Sequence, residues 1–115
     1  PLGLLVTAIL HANNLRDLEL DAEFDLKTLA IRLGRRGSLI YLDCLLAGAF
    51  VATIGAVFLG FLPWPALLVV LAAPLALHLS KGAREKSPAI VAEAARLHLS
   101  FGVLLCAGLA VSLLA

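Results

Sequence analysis

The sequence predicts an all-α, integral membrane helical bundle. Hydrophobic residues make up 62% of the chain and the mean hydropathy is +1.03, whereas soluble domains are typically about 45–50% apolar. No Asp, Glu, Lys or Arg occurs from Cys44 to Ser80, and this run is too long for one crossing of about 20 residues. The LPWP stretch at 62–65 divides the run, because paired prolines interrupt helical hydrogen bonding. A net charge of +1 gives no indication of nucleic-acid binding.

Four apolar segments follow one another along the chain. The first, residues 1–14, places only about ten residues before His11, so we expect a truncated membrane helix there. Three further membrane helices are predicted at about 38–62, 64–79 and 97–115. Ala and Gly are frequent in these segments, which suits close helix packing in lipid.

The connections between the segments predict the orientation of the chain. The 15–37 connection carries five basic residues and the 80–96 connection carries four, whereas the 62–65 turn carries none. The positive-inside rule therefore places both charged connections in the cytoplasm and the turn outside. We expect a multi-pass protein of the plasma membrane, with Trp64 as an interfacial anchor.

The 15–37 connection contains an unusual set of carboxylates. It lacks proline and has no glycine before Gly34, so we expect a mostly helical segment that ends at Gly34. On one helix, Asp17, Asp21 and Asp25 would form a slowly drifting line, with steps of about 40° and 6 Å. Like charges at this spacing repel, and a hard cation such as Mg²⁺ would compensate them with oxygen ligands.

Two alternatives stand beside the metal site. The spacing alone fits a solvated helix face equally well, with pairs such as Glu23–Lys27 offsetting the charge. A calcium loop of the EF-hand type is excluded, because Ala22 and Thr28 stand where that loop needs Gly and Glu. Asn13 and Asn14 precede the carboxylates at the end of an apolar helix, and polar groups at such a depth favour a functional cavity.

The stretch NNLRDLELDAEFDLKTLAIRLGRR resembles the second aspartate-rich motif of the UbiA superfamily of membrane prenyltransferases. It is most similar to the branch that prenylates 1,4-dihydroxy-2-naphthoate in menaquinone biosynthesis. The downstream stretch ARLHLSFGVLLCAGLAVSLL resembles the last helix of that branch. The resemblance implies that residues 1–115 are the C-terminal part of a single prenyltransferase domain, a bundle of nine membrane helices.

The resemblance also implies a ligand set for Mg²⁺ and a polyprenyl diphosphate. Asp17 and Asp21 match the paired metal ligands of the motif, and Asn14 and Arg16 match positions that line the substrate cavity. Family members commonly have Gly-Lys where this chain has Asp25 and Leu26, so Asp25 is either a third metal ligand or a surface acid, and Lys27 is a displaced phosphate ligand. The first aspartate-rich motif would come from the N-terminal half of the same enzyme, so we expect this fragment alone to be inactive.

The function implied is transfer of a polyprenyl group to an aromatic acid in the lipid bilayer. The expected acceptor is 1,4-dihydroxy-2-naphthoate, which would give demethylmenaquinone. The alternatives are an enzyme of this family with another acceptor (4-hydroxybenzoate, homogentisate or a lipid), or a non-catalytic membrane bundle or transporter fragment.

Overall fold

The computed structural model describes residues 1–115, and every regular element in it is a helix. α1 packs against α3 and α5, and α5 packs along the 3₁₀ helix and α4. The predicted all-α fold class is confirmed. In chain order the elements are α1 (Leu2–Arg16), α2 (Leu18–Glu23), α3 (Leu29–Phe58), a 3₁₀ helix (Trp64–Ala72), α4 (Ala73–Arg84) and α5 (Ile90–Leu114).

Three segments are long and apolar enough to cross a membrane: α3, the 3₁₀ helix together with α4, and α5. The chain is therefore a multi-pass membrane protein, as predicted. Two helices begin earlier than expected: α3 at Leu29 rather than near residue 38, and α5 at Ile90 rather than near 97. Both differences have one cause, since backbone hydrogen bonding continues into the polar connections, where hydropathy alone gives no signal.

The third membrane segment changes helix type along its length. Pro65 lies in the first turn of the 3₁₀ helix and Pro74 in the first turn of α4. Because Pro74 has no N–H to donate, the α-helical ladder cannot extend backwards through it. Nine residues at about 2.0 Å and twelve at about 1.5 Å reach roughly 36 Å. That length covers a hydrocarbon core of about 30 Å.

A break at Gly34 separates the first turn of α3 from its membrane part. Gly34 has φ 70° and ψ 174°, a conformation that essentially only glycine adopts. Thr28 caps the first turn by accepting a hydrogen bond from the Ile31 N–H at 3.3 Å. The buried Ser38 hydroxyl donates back to the carbonyl of Ala30 at 3.1 Å. The predicted helix end at Gly34 is therefore present as a break, and the chain resumes α3 directly after it.

A polar cluster joins α3 to α4 within the bundle. The Ser80 hydroxyl donates to Asp43 Oδ1 at 2.6 Å, and the Arg84 guanidinium pairs with the same carboxylate. The pair is not buried, since the side chains of Arg84 and Asp43 remain 47% and 37% exposed. The cluster holds the end of α4 against α3, where Arg35 donates to the carbonyl of Ala83 at 2.7 Å.

The two charged connections meet at the same end of the bundle, which we call the polar end and which includes Arg16, Arg35 and Lys86. The Lys86 ammonium lies 3.2 Å from Glu19 Oε1. This contact joins the 80–96 connection to the aspartate-rich connection. The prediction that both connections share one side of the bundle agrees with this placement.

Candidate functional site

The site begins where α1 ends. Asp17 is the C-terminal cap of α1 and immediately precedes α2. Arg16 donates through Nε to Asp17 Oδ1 at 2.9 Å and through Nη2 to Asp17 Oδ2 at 3.1 Å. The same Nη2 donates to Asn13 Oδ1 at 2.8 Å. Arg16 thus donates hydrogen bonds to a carboxylate and to an amide oxygen. Oxygen atoms of these two types are also the kind that binds Mg²⁺.

Arg16 also controls the charge of Asp17. Its hydrogen bonds hold the pKa of Asp17 below the ordinary value of 3.8, although partial desolvation opposes the shift. A lowered pKa stabilises the fold above the ordinary value, and this contribution is lost as the pH falls through the lowered pKa. Because both side chains of the pair remain about one-third exposed, solvent screens their interaction and its effect on stability is small. Asp17 would be an anion at neutral pH in any case, and the lowered pKa keeps it charged to a more acidic pH.

Asp21 continues the line that Asp17 begins. The Asp17 N–H donates to the carbonyl of Asn13 at 3.2 Å, and the Asp21 N–H donates to the carbonyl of Asp17 at 2.8 Å. Two successive i to i+4 bonds therefore align Asn13, Asp17 and Asp21 along the chain, despite the boundary between α1 and α2. The backbone hydrogen bonding on which the predicted alignment of Asp17 with Asp21 depends is therefore present, although Asp17 itself departs from helical angles, with φ −95° and ψ 12°.

Asp25 leaves this line, so the prediction of three aspartates on one continuous helix is wrong. α2 ends at Glu23, and Asp25 has φ 53°. The Leu26 N–H donates to the carbonyl of Asp21 at 2.9 Å, and the Asp25 N–H donates to that of Ala22 at 3.2 Å. This is a Schellman motif, whose left-handed position normally takes glycine. The resemblance noted above implies glycine at this position, and glycine would fit the same turn.

We expect Asp25→Gly to leave the activity of the full-length protein nearly unchanged and to raise its free energy of unfolding by up to about 1 kcal/mol, because glycine adopts φ 53° without a Cβ penalty. Asp25→Ala, which removes the carboxylate but keeps the Cβ, is the matched variant. Turnover and denaturant-induced unfolding in detergent measure the two effects. A large loss of activity in both variants would instead make Asp25 a metal ligand.

The remaining predicted site residues lie around this line without joining it. Asn14 is half-buried near the end of α1, next to Asn13. Lys27 is exposed in the segment between α2 and α3 and forms no ion pair. The suggested Glu23–Lys27 pair is therefore absent. His11, by contrast, is buried and donates through Nε2 to the Ser38 carbonyl at 3.0 Å, so it is a packing residue.

The residue types at this site suit Mg²⁺ only if further ligands complete its coordination. No group of three or more His, Cys, Asp or Glu side chains lies close enough to hold an ion without other ligands. Mg²⁺ commonly uses only one or two carboxylates and completes its octahedron with phosphate oxygens and water. Asp17 and Asp21 are two carboxylates of this kind, so their donor type suits such a shared ion.

A cavity of about 230 Å³ lies beside Asp17 at the polar end. Sequence reasoning missed its charged lining, because the residues come from connections far apart in the chain. Glu19 faces the cavity and pairs with Lys86 rather than with Arg16. The only relevant sequence signal was the basic character of the 15–37 and 80–96 connections, which predicted that both lie on one side of the membrane. The polar residues of its lining are Arg16, Glu19, Arg35, Lys86 and Ser87.

Comparison with known proteins identifies a family that this chain matches. The model of the UbiA prenyltransferase family matches residues 1–102. That match includes the aspartate-rich connection, all of α3 and α4, and the first half of α5. No solved structure gives a significant match to the chain.

Several curated relatives carry one name, 1,4-dihydroxy-2-naphthoate octaprenyltransferase. The protein of Bacillus subtilis is 36% identical over 97% of this chain and 38% of its own length. That of Mycobacterium tuberculosis is 39% identical over 76% of this chain and 31% of its own length. That of Haemophilus influenzae is 41% identical over 64% of this chain and 24% of its own length. The chain thus spans well under half of the length of each relative.

Proposed function

The chain belongs to the UbiA prenyltransferase family, and we propose that it forms the second metal–diphosphate half of a membrane enzyme that transfers a polyprenyl group to an aromatic acceptor. The observation that carries the proposal is the alignment of Asp17 with Asp21 at the mouth of an apolar bundle. The remaining ligands, with the first aspartate-rich motif, would come from the N-terminal half of the same enzyme.

The polar residues of this chain would have different roles at the diphosphate. Asp17 and Asp21 would hold Mg²⁺, which neutralises diphosphate charge so that it becomes a better leaving group. Arg16, already next to Asp17, would turn a guanidinium N–H towards phosphate oxygens, as its fork geometry favours. Lys27 is a free, exposed ammonium that could reach the same group. Asn14 would complete the polar wall of the cavity.

The bundle would protect the reacting carbon. When the bond from the allylic carbon to the diphosphate oxygen breaks, the electron pair leaves with diphosphate and the allylic carbon becomes electrophilic. Water would quench this carbon, and the apolar faces of α3, α4 and α5 keep water away. The electron-rich ring of the acceptor then supplies the electrons for the new carbon–carbon bond.

We propose 1,4-dihydroxy-2-naphthoate as the acceptor, with loss of the ring carboxyl as CO₂ and demethylmenaquinol, the reduced form of demethylmenaquinone, as the direct product. The shared name of the relatives supports this acceptor. By the positive-inside rule the polar end would face the cytoplasm of a cell whose plasma membrane holds the enzyme. Both charged connections, which meet at this end, support that orientation.

Product analysis of the full-length protein in membranes tests the proposal. The protein is offered one prenyl diphosphate with Mg²⁺ and, in parallel, 1,4-dihydroxy-2-naphthoate, 4-hydroxybenzoate and homogentisate. We expect a decarboxylated prenyl naphthalene as the dominant product in mass spectra. Prenylation of another acceptor instead would reassign the substrate, and no prenylated product from any acceptor would contradict the enzyme function.

A further inference from the structure

The cavity at the polar end has a surplus of positive charge. Its lining contains three cationic side chains, Arg16, Arg35 and Lys86, but a single carboxylate, Glu19. The Ser87 hydroxyl adds a neutral donor to the same wall. A lining of this kind repels a cation and an isoprenoid tail, and it attracts a group with several anionic oxygens.

Arg35 is held in place from behind. Its Nη2 donates to the carbonyl of Ala83 at 2.7 Å and lies 3.5 Å from that of Arg84. Both carbonyls belong to the last turn of α4, where a cation is favoured by the helix dipole. A guanidinium carries five N–H donors, so these contacts orient Arg35 and leave other donors for the cavity.

Lys86 reaches the cavity from an unusual backbone position. It has φ 57° and follows α4 as the left-handed residue of a Schellman motif. The Ser87 N–H donates to the carbonyl of Gly82 at 2.9 Å and the Lys86 N–H to that of Ala83 at 3.4 Å. Glycine is the ordinary residue for this position, so lysine is held here at a conformational cost.

Glu19 is the present partner of the Lys86 ammonium. The two groups are 3.2 Å apart, and both side chains are largely exposed, at 86% for Glu19 and 62% for Lys86. An exposed pair of this kind is weak, at about 1 kcal/mol or less. A ligand with more negative charge can therefore take Lys86 from Glu19 at little cost.

We propose that this cavity binds an anionic group of a substrate through Lys86, Arg35 and Ser87, and that Glu19 competes with that group for Lys86. The inference rests on the proposed function. Arg16 belongs to both sites, because it lines the cavity and binds Asp17. The bound group is therefore adjacent to the metal–diphosphate site, and it is either the distal phosphate of the prenyl diphosphate or the carboxylate of the aromatic acceptor.

The test compares Lys86→Gly with Glu19→Gln in the full-length protein. Lys86→Gly removes the ammonium and also relieves the backbone at φ 57°, so the fold is retained. We expect the KM of one substrate to rise about tenfold, the effect of losing one charge-assisted hydrogen bond. A rise for the prenyl diphosphate identifies the distal phosphate, and a rise for the acceptor identifies its carboxylate. Glu19→Gln should lower the same KM.

Lys81→Gln is the matched control, because Lys81 is an equally exposed lysine of α4 whose partner is Glu85. It should leave both KM values unchanged. The cavity proposal is overturned if Lys86→Gly changes neither KM, or if Glu19→Gln raises KM as Lys86→Gly does. The latter result would show that the pair only tethers the connection.

A binding measurement separates this inference from the proposed function. Inorganic diphosphate with Mg²⁺, and 1,4-dihydroxy-2-naphthoate alone, are titrated into the wild-type, Lys86→Gly and Glu19→Gln proteins. Binding that weakens about tenfold in Lys86→Gly and strengthens in Glu19→Gln supports the cavity even where no prenylated product forms. Equal affinity of all three proteins for both probes contradicts the cavity even where transfer is active.

Discussion

Asp17→Ala and Asp21→Ala should each reduce Mg²⁺-dependent prenyl transfer by the full-length protein roughly a thousandfold. Each change removes one of only two carboxylates that the structure aligns at the end of α1. If one of the two carboxylates is lost, Mg²⁺ would be bound less well. The diphosphate would then keep more of its negative charge and remain a poor leaving group. Initial rates with saturating substrates and a Mg²⁺ titration measure the loss, and folding is checked by helical circular dichroism in detergent.

Asp25→Gly controls for the loss of a carboxylate in the same connection. The turn that contains Asp25 accepts glycine, so the variant loses charge without losing the backbone conformation. We expect it to turn over at close to the wild-type rate. Near-wild-type rates in both Asp17→Ala and Asp21→Ala would refute the assignment of the metal site.

The second large effect concerns Gly108 in α5, which packs directly on the backbone of the 3₁₀ helix. A Cβ at Gly108 would overlap the carbonyl oxygen of Pro65 and would lie 2.7 Å from its carbonyl carbon and 3.0 Å from the Cα of Ala66. Neither neighbour can rotate away, because both are backbone. Gly108→Ala should therefore lower the free energy of unfolding by about 3 kcal/mol, the upper part of the range for overpacking.

Gly102→Ala is the matched control in the same helix. A Cβ at Gly102 would lie 3.7 Å from Leu2 Cδ2, an ordinary van der Waals contact. Because alanine favours the helix over glycine by about 1 kcal/mol, this variant should be as stable as the wild type or more so. Unfolding in a mixed detergent series compares the two variants. Equal stability would show that α5 and the 3₁₀ helix are not packed this closely.

The sequence was sufficient for features that depend on local pattern. The charge-free run from Cys44 to Ser80 predicted two crossings, because hydropathy reports directly on lipid compatibility. Gly34 predicted a helix break, since only glycine suits its backbone angles. Asp17 and Asp21 were chosen as the proposed metal ligands through the wider motif around them.

Spacing alone failed at Asp25, because it assumed a continuous helix where the chain turns after Glu23. The separation of i and i+4 positions describes one face only while the backbone remains helical. A glycine at position 25 would have predicted the turn. Aspartate at that position gave no such indication.

Tertiary contacts account for the other omissions. Glu19 and Arg35 are sixteen positions apart, yet both line one cavity with Lys86. No local pattern predicts contacts between positions so distant in the chain. The close packing at Gly108 could not be predicted from the sequence either, because the constraint comes from the carbonyl of Pro65 on another helix.

Equilibrium binding of a non-hydrolysable prenyl thiodiphosphate to the full-length protein tests the central claim, that Asp17 and Asp21 hold the substrate through Mg²⁺. The measurement compares the wild type with a variant that carries both Asp17→Ala and Asp21→Ala, with Mg²⁺ and with EDTA. We expect the wild type to bind the thiodiphosphate tightly with Mg²⁺ and weakly with EDTA. The double variant should bind it weakly in both conditions. Equal affinity of the wild type with Mg²⁺ and with EDTA, or Mg²⁺-dependent tight binding by the variant, would contradict the claim.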